Sequence, residues 1–569
     1  MESIWTVAKI PDSALDDYVD LCGVCRPIAL SLRNKNIKPT QVDQYFQASL
    51  GALTDPFRLP DLKVAVKRIW NAIQDKQKII IHGDYDTDGV TSATLIHWVL
   101  AAYGADVEIF ISNRLNDGYG PTAQTIEKCR EKGASLVVSC DCGITAFEAA
   151  DYAKEHGIDF IITDHHNPAR TLPDAYAIVD PRLHPELTDL HGLAGVGVAF
   201  KLCHGFVKYA VRHGVKKRPI DIREGLDLVA MGTVADVSPL IGENRSLVRN
   251  GLTLMNVKRR LGLASLCDVA RLDGPITVTD ISRRLAPKIN AAGRVGDPMV
   301  SVTLLQAKEE RESRIAASTL EKYNRKRRYA EKKALKEAMT VAEEEIRKYD
   351  PEALVIRGQN WHPGVIGLLA TKISRDYSCP AIVVSSDEKG EELVGSGRSK
   401  VGVDILQRLQ ACEGLLNSFG GHPMAVGLSL DNENYPEFKK SFLSKFHREF
   451  QDAHHQPHHR DVKHIFADGQ IEISELTNEF FEQYTQMEPF GSANKESIYY
   501  LDYSEPIEII EFGDGHCKGL VQDKTGQIPF VAYGIAKDSL PRGPWEMMVS
   551  PLVSVRGRNE IRQLLVHEV

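Results

Sequence analysis

Acidic and histidine side chains are concentrated in three short stretches in the first half of the chain. They are His82, Asp84, Asp86 and Asp88 in KIIIHGDYDTDGVT (78–91), Asp141 in CDCG, and Asp164, His165 and His166 in TDHH. Three acids within five residues repel each other unless a cation lies among them. Carboxylates mixed with imidazoles suit two divalent cations that share a bridging carboxylate, and such a pair hydrolyses phosphoesters. Imidazole ligands favour Mn²⁺, whereas Mg²⁺ prefers oxygen and water.

Each of these stretches follows a short apolar run. The runs at 79–81, 135–139 and 159–163 are predicted strands, and a further strand is predicted at 107–111. Helical segments of ten or more residues separate them, which indicates a parallel sheet with its ligands at the carboxyl edge. Asp236 ends another apolar run, 226–237, and offers a fourth point. For Asp164 the favoured interpretation is a residue that orients a neighbouring histidine.

The length of 569 residues predicts two to four domains. We divide the chain into an N-terminal extension (1–60), an α/β catalytic domain (61–302), a connecting helix (303–350), a second α/β domain (351–453) and a β-barrel domain (461–569). Mixed charges and few apolar positions predict that the connecting helix is long and exposed. Short β-like runs separated by turns predict a small antiparallel barrel or sandwich at the C-terminus. HHQPHHR (454–460) is interpreted as a linker rather than a metal site.

The composition of the chain excludes few classes of function. The net charge of −8 argues weakly against nucleic acid, although a local basic stripe suffices for DNA binding. There is no signal peptide and no apolar run of about 20 residues, so we expect a cytoplasmic protein that does not enter a membrane. Cys22 and Cys25 have the spacing of a metal or redox pair but lack a second pair, which favours reduced thiols. The glycines of GLAGVGVAF (192–200) do not match a dinucleotide-binding motif, and a close-packed turn is predicted there.

Taken together, the motifs resemble a known family. HGDYDTDG, CDCG, TDHH and MGTVADVSPL resemble the four motifs of the DHH phosphoesterase superfamily. SRRLAPKINAAGRVGDP, WHPGVIGLLATKI, GSGRS and FGGHPMAVG resemble the signatures of the RecJ family of single-strand-specific 5′→3′ exonucleases, in order from about residue 50 to 500. The resemblance implies a metal-dependent exonuclease that releases 5′-mononucleotides from single-stranded DNA in repair and recombination. It also implies a C-terminal OB-fold-like barrel that holds the strand through a basic groove and stacking side chains; Tyr499, Tyr500 and Tyr503 are candidates that could equally be core.

The resemblance also implies roles for individual residues. One metal would be held by His82, Asp86 and Asp141, and the second by Asp88, Asp141, His165 and Asp236. Asp141 would bridge the two ions, and His166 would face the scissile phosphate. Asp84 lies off the ligand register and is expected to support catalysis without coordinating. The expected DNA-binding residues are Arg114, Asn290, Arg294, His362, Ser396, Arg398, Gly420, Gly421 and His422.

Within that last set, Arg114, Ser396 and Arg398 suit a terminal 5′-phosphate, because a hydroxyl and guanidinium groups bind its oxygens. Two other functions stay open. One is a DHH phosphodiesterase for oligoribonucleotides or cyclic dinucleotides, which the tail after about residue 455 disfavours. The other is a non-catalytic replication scaffold, which the filled ligand positions disfavour. The expected partners of a monomeric exonuclease are single-stranded DNA and, as protein candidates, a single-strand-binding protein and a RecQ-type helicase. No metal ligand is expected after residue 461.

Overall fold

The structure is a computed structural model that describes residues 3–113, 117–118, 120–257, 260–349, 351–386, 391–446, 463–556 and 559–569. Arg114 and the predicted linker at 454–460 therefore lie outside the described residues. The fold has two α/β units joined by a long helix, and a closed five-stranded barrel follows them. The predicted fold class is confirmed.

The N-terminal segment packs against the C-terminal unit, although the two are far apart in sequence. Its elements are β1 (Ser3–Val7), α1 (Arg26–Asn34) and α2 (Val42–Gln47). Strand β1 runs parallel to β12 (Lys463–Ala467). Ile28, Leu30 and Leu32 of α1 share one apolar core with the barrel. Sequence analysis treated residues 1–60 as an extension because the sequence does not reveal this long-range contact.

The first α/β unit contains a five-stranded sheet in the order β3-β2-β4-β5-β6, in which every pair is parallel. The strands are β2 (Ile79–Gly83), β3 (Val107–Ile111), β4 (Leu136–Cys140), β5 (Asp159–Thr163) and β6 (Ala177–Val179). One apolar core covers each face of the sheet, which explains why its strands are continuous apolar runs. The strands predicted at 107–111, 135–139 and 159–163 lie within one residue of the observed ones, whereas the strand predicted at 79–81 ends two residues early and β6 was not predicted.

The helices of this unit surround the sheet and extend beyond it. They are α3 (Leu62–Gln74), α4 (Thr87–Ala102), α5 (Ala123–Glu131), α6 (Phe147–Glu155), α7 (Gly195–Arg212), α8 (Leu226–Ala235), α9 (Gly242–Asn256), α10 (Leu261–Ala270), α11 (Val278–Asp280), α12 (Ala286–Val295) and α13 (Met299–Gln306). Helix α4 follows β2 directly and is buried on nearly all sides, as its apolar composition requires.

The connecting helix is α14 (Glu310–Tyr349), which begins seven residues later than predicted. Ala316, Ala317 and Leu320 belong to the core of the first unit, whereas Ala334, Ala338 and Ala342 belong to the core of the second. The prediction of an exposed helix is therefore wrong along one face. Alanine side chains allow close packing while contributing little to an apolar pattern, so the sequence did not reveal this buried face.

The second α/β unit has a mixed sheet in the order β10-β11-β9-β8-β7, of which only β7 and β8 are parallel. Its elements are β7 (Leu354–Gln359), α15 (Pro363–Asp376), β8 (Ala381–Ser386), β9 (Glu392–Arg398), α16 (Ile405–Gln410), β10 (Ser418–His422), β11 (Ala425–Asp431) and α17 (Tyr435–Ser444). Helix α15 packs against β8 and β9, and its N-terminus points towards the first unit, where Gly364 contacts Arg294.

The C-terminal unit contains α18 (Asn478–Gln486) and a closed barrel in the order β13-β14-β15-β17-β16. The strands are β13 (Tyr499–Phe512), β14 (His516–Gln522), β15 (Gln527–Ala532), β16 (Trp545–Arg556) and β17 (Asn559–Glu568). The barrel is not wholly antiparallel, because β15 and β17 pair in parallel. A search of the described helices found none that is long and apolar enough to span a membrane. All ten cysteines are free thiols.

Candidate metal centre and active site

Three strand ends bring acids and histidines together at the carboxyl edge of the first sheet. Their ligand atoms form three overlapping groups, within each of which every atom lies within 4.8 Å of the others. The groups are Asp84, Asp86 and Asp141; Asp88, His165 and Asp236; and Asp141, His165 and His166. Asp141 is shared by two groups and His165 by two, which is the arrangement expected of adjacent sites with common ligands.

The first acidic loop is shaped by the start of α4. Asp86 is the N-cap residue, and its Oδ1 accepts hydrogen bonds from the N–H groups of Asp88 (2.9 Å) and Gly89 (3.1 Å). Thr87 donates its N–H to Oδ1 of Asn290, at 2.8 Å. Asn290 was predicted to bind DNA phosphates, and in the structure its amide oxygen fixes this loop.

Asp88 is held by the N-terminus of α7. Gly195 and Val196 donate their N–H groups to Oδ2 and Oδ1 of Asp88, at 2.7 and 2.9 Å. These donors belong to GLAGVGVAF, where the predicted close-packed turn is limited to the residues before Gly195, and the segment is helical from Gly195 onward. A helix N-terminus stabilises negative charge, because its first N–H groups are unpaired and aligned. Neither Gly195 nor Val196 was a predicted site residue. The feature of the sequence that could have indicated them is the cluster of small side chains before a helical pattern.

Asp141 occupies a tight position at the end of β4. Its backbone is left-handed, with φ 61°, a conformation that Asp and Asn tolerate better than most residues. The side chain is buried, and a β-carbon on Gly195 would lie only 2.5 Å from its Oδ1. Gly195 therefore serves two of the acids. Its N–H binds Asp88, and its lack of a side chain leaves room for the carboxylate of Asp141.

Asp164 organises the two histidines that follow it. Its Oδ1 accepts the N–H groups of His165 (2.7 Å) and His166 (3.1 Å) as well as Nδ1–H of His166 (2.7 Å). Its Oδ2 accepts the N–H of Ile144 at 2.9 Å. These contacts agree with the orienting role that sequence analysis favoured for Asp164, and they leave Nε2 of His166 directed away from Asp164.

Asp236 comes from a helix end rather than from a strand. It directly follows α8, and its Oδ2 accepts a hydrogen bond from Ser238 Oγ at 2.6 Å. The apolar run 226–237 shows no alternation between apolar and polar faces, because α8 is buried on nearly all sides, and its sequence therefore does not reveal a helix. Ser238 is a contact that sequence analysis did not identify.

His82 and Asp84 differ from their predicted positions. Asp84 was set aside as non-coordinating, yet a carboxylate oxygen lies with those of Asp86 and Asp141. His82 belongs to none of the three groups formed by the described residues. Its Nε2 lies 3.3 Å from Ser112 Oγ, whereas its buried Nδ1 has no hydrogen-bond partner among them. The chain leaves β2 at Gly83, so Asp84 lies on the loop that also carries Asp86, and its part in the site stays a prediction.

The charge balance of the cluster fits divalent cations. Burial, reinforced by the charges of neighbouring acids, raises the pKa of Asp88 and Asp141 well above the ordinary value, and burial also raises the pKa of Asp236. Nε2 of His165 is buried and lies 3.1 Å from Asp141 Oδ1 and 3.9 Å from Asp88 Oδ2, without a hydrogen bond to any described residue. Cations would satisfy this nitrogen and neutralise the acids at once.

The second α/β unit contributes polar groups opposite the cluster. Arg398 Nη1 donates to Ser396 Oγ at 3.0 Å, and both side chains lie beside Gly367 of α15. Burial lowers the pKa of His422, and the positive charges of His166 and Arg398 lower it further, so His422 faces the first unit. Gly420 and Gly421 precede it on exposed β10, where a β-carbon on Gly420 would meet no neighbour. Arg114 lies outside the described residues.

Two other predicted DNA-binding residues, Arg294 and His362, contact Gly364 at the start of α15. Arg294 Nη1 donates to the Gly364 carbonyl at 3.3 Å, and a β-carbon on Gly364 would lie 2.1 Å from the Arg294 carbonyl. His362 caps α15, since its Nδ1 accepts the N–H of Gly364 at 3.1 Å. Burial, followed by the charge of Lys326, lowers the pKa of His362.

The barrel gives limited support to the predicted DNA groove. Tyr499 is core, because its hydroxyl is buried and hydrogen-bonded to Ser31 (2.6 Å) and Pro27 (3.0 Å). Tyr500 packs against Trp5, with ring centroids 6.4 Å apart, whereas Tyr503 is 74% exposed. From residue 461 onward, Asp and Glu outnumber Lys and Arg by two to one, so this part of the chain is acidic overall.

Three protein families match successive parts of the chain. Residues 78–233 match the DHH family, N-terminal domain; residues 350–451 match the DHHA1 domain; and residues 467–567 match the RecJ OB domain. These ranges cover the metal-type cluster, the unit that faces it and the barrel, respectively.

Full-length relatives agree with this assignment. The chain is 34% identical to the single-stranded-DNA-specific exonuclease RecJ of Bacillus subtilis over 86% of this chain and 60% of that protein. It is 35% identical to RecJ of Dickeya dadantii over 80% of both chains. The crystal structure of Thermus thermophilus RecJ in complex with Mn²⁺ has a TM-score of 0.80 and 26% identity, and covers 99% of this chain and 79% of that one. With the cluster and fold described above, these matches establish that the chain belongs to the RecJ family of DHH proteins.

Proposed function

We propose that this chain is a metal-dependent exonuclease that degrades single-stranded DNA from its 5′ end and releases 5′-mononucleotides. The observation that carries the proposal is the cluster of acids and histidines at the sheet edge of the first unit, with His422 of the second unit close enough for the charge of His166 to lower its pKa. The RecJ relatives, which are named as single-stranded-DNA-specific exonucleases, support the substrate class. A role in DNA repair and recombination follows from that activity.

Two divalent cations, Mn²⁺ or Mg²⁺, suit the donor atoms of the cluster. We assign Asp84, Asp86 and Asp141 to one ion and Asp88, Asp141, His165 and Asp236 to the other, with His82 beside the first. When bound, such ions supply an activated water and Lewis-acid stabilisation of both the attacking and the leaving oxygen. The protein fixes the carboxylates in place through the N-terminus of α7, the N-cap of α4 and the hydroxyl of Ser238.

His166 is proposed to stabilise charge on the scissile phosphate. Burial lowers its pKa, but the hydrogen bond and charge of Asp164, with the charges of Asp236 and Asp88, raise it to about 9. The imidazole is then protonated near neutral pH, with Nδ1–H donated to Asp164 and Nε2–H available to a phosphate oxygen.

The 5′ polarity is proposed to come from the second unit. Ser396 and Arg398 offer a hydroxyl and a guanidinium, and the absence of a side chain at Gly420, where a β-carbon would meet no neighbour, leaves room for an anion beside β10. A terminal phosphate carries more negative charge than an internal one, so this pocket favours the strand end. Arg294 and His362 both contact Gly364 at the N-terminus of α15, and we propose that they bind the following phosphates; Arg114 is retained as a candidate on the basis of sequence.

We also propose the domain division given by the sequence, with catalytic, substrate-binding and OB-fold-like domains at 61–302, 351–453 and 461–569. The separate sheets and the matched family ranges support it. Action on DNA makes a cytoplasmic location the natural proposal. A monomer that cooperates with a single-strand-binding protein and a RecQ-type helicase remains the working hypothesis for its partners.

Digestion of end-labelled strands tests the function. Single strands labelled at the 5′ or the 3′ end, and matched duplexes, are incubated with Mn²⁺, with Mg²⁺ and with chelator. We expect the 5′ label to appear first as mononucleotide, only from single strands and only with metal. First release of the 3′ label would contradict the polarity, and preferential cleavage of oligoribonucleotides or cyclic dinucleotides would favour the phosphodiesterase. DNA binding without cleavage would favour the scaffold.

Arg398→Ala should lower kcat/KM on 5′-phosphorylated strands about tenfold or more, which is the effect of losing hydrogen bonds to a charged group. Cleavage of 5′-hydroxyl strands should fall much less. Arg375→Ala is the matched control, because this arginine is 72% exposed at the far end of α15 and pairs with Asp376. An equal loss on both substrates would mean that Arg398 does not recognise the terminus.

A further inference from the structure

The C-terminal unit contacts the first unit directly beside one of the proposed metal ligands. The contact is made by residues 486–494, which we call the clamp loop, between α18 and β13. It meets residues 236–241, the Asp236 loop, which connects α8 to α9. Leu240 donates its N–H to the carbonyl of Ser492 at 2.8 Å. The Leu240 side chain is buried, and a β-carbon on Gly491 would lie 2.7 Å from its Cδ1.

The clamp loop is itself held firmly against the first unit. Arg245 of α9 is buried and donates to the carbonyls of Gln486 (2.9 Å), Met487 (2.8 Å) and Tyr45 (3.1 Å). Its guanidinium also stacks on Tyr45, at 3.9 Å from the ring centroid. Asn494 is buried as well and closes the loop internally by donating to the carbonyls of Met487 (3.1 Å) and Pro489 (2.8 Å). Fixed donors on both sides make this loop a rigid support rather than a loose contact.

The support extends from Leu240 to the cluster over a short distance. Val237, next to Asp236, has a left-handed backbone with φ 61°, and Ser238 bonds the Asp236 carboxylate at 2.6 Å. A valine pays a steric cost in that conformation, so the loop keeps it only while both of its ends are fixed. Asp236 fixes one end through α8, and Leu240 fixes the other through the clamp loop.

Asn244 couples this loop to the segment that holds Asp88. Its buried Nδ2 donates to the carbonyls of Pro239 (3.0 Å) and Gly192 (2.5 Å). Gly192 lies three residues before Gly195, whose N–H binds Asp88. One side chain therefore joins the two segments that position Asp88 and Asp236, which form a candidate metal group with His165.

We propose that the clamp loop and Asn244 are positioning elements of the metal centre, so that the C-terminal unit controls metal affinity through Leu240 as well as any contact it makes with DNA. The inference rests on the proposed function only in taking Asp88, His165 and Asp236 as metal ligands. It keeps the expectation from sequence that residues after 461 supply no metal ligand, and adds that they hold the loop that supplies one.

The test uses full-length Gly491→Ala, which adds a methyl group against Leu240 Cδ1, and calorimetric titration of the metal-free protein with Mn²⁺. We expect one of two binding steps to weaken about 10–100-fold, as when residues that orient ligands are changed. The kcat for single strands should fall with it, whereas KM for DNA should hold. Gly526→Ala in the same unit is the control, since its β-carbon would contact only Ile473; it should leave Mn²⁺ affinity unchanged.

A compensating change separates positioning from misfolding. Leu240→Val removes the carbon that the new methyl group would meet, so Gly491→Ala with Leu240→Val should regain most of the Mn²⁺ affinity lost by Gly491→Ala alone. Unchanged Mn²⁺ affinity in a folded Gly491→Ala protein would overturn the inference, as would loss without recovery in the double variant. Because Mn²⁺ binding is measured without DNA, weakened binding in a protein that cleaves no DNA would contradict the proposed function and leave this inference standing.

Discussion

Asp141→Asn is expected to abolish cleavage of single-stranded DNA while leaving the fold intact. Asp141 contributes to two of the three candidate metal groups, so its loss affects both ions at once. Losing the several kcal/mol of transition-state stabilisation that bound metal supplies corresponds to a decrease in kcat on the order of a thousandfold. Asn is preferred to Ala because the residue has φ 61°, which Asn tolerates at a lower steric cost than Ala. Single-turnover cleavage with Mn²⁺ measures the effect.

The same variant should change stability in opposite directions with and without metal. Burial and the charges of Asp88 and Asp86 raise the pKa of Asp141. Above the unfolded pKa of this group, folding without metal must therefore either protonate the carboxylate or bury its charge, and both lower stability. Asn avoids this cost and should raise the metal-free Tm. Saturating Mn²⁺, which at a hundredfold excess over Kd stabilises a protein by about 2.7 kcal/mol per site, should stabilise the variant less. Retention of a tenth of normal turnover would disprove the bridging role.

Those parts of the fold that depend on local pattern were predictable from sequence. The sheet strands at Val107–Ile111 and Asp159–Thr163 match their predicted bounds, because buried parallel strands are short apolar runs ended by polar residues. The convergence of Asp86, Asp141 and His165 followed from the rule that parallel strands present their carboxyl ends at one edge. The orienting contact of Asp164 followed from its adjacency to two histidines.

Contacts between distant segments were not predictable in this way. The direction of the Asp84 carboxylate, which lies beside Asp86 and Asp141, depends on where β2 ends, and a loop has no side-chain period that would reveal it. Gly195 donates a backbone N–H and Asn244 donates to backbone carbonyls, and the residue type does not reveal which backbone groups take part in such contacts. The buried face of α14 and the packing of α1 on the barrel depend on long-range partners, to which helical periodicity is insensitive.

Gly195→Ala is expected to lower kcat without lowering the stability of the protein. It should separate these two effects more clearly than a substitution of any proposed metal ligand. Ala is the better helix former by about 1 kcal/mol, so at the first position of α7 the change should not weaken the helix. The N–H that binds Asp88 is retained. The new methyl group, however, would lie 2.5 Å from Asp141 Oδ1, which must therefore move. A displacement of about 1 Å in a catalytic site costs on the order of 100-fold in rate, and we expect a loss in kcat of at least that size.

Gly197→Ala in the same helix is the matched control for this prediction. It gains the same helical propensity, but its β-carbon would contact the side chain of Leu193, with the nearest atom 3.1 Å away, and none of the acids. We expect its kcat to stay within about twofold of the unmodified protein, since a leucine side chain adjusts by a few tenths of an ångström at little cost. Equal losses in both variants would indicate a general effect on α7. Normal turnover and normal Mn²⁺ affinity in Gly195→Ala would mean that Asp141 does not need its observed position, and the assignment of that carboxylate as the shared ligand would fail.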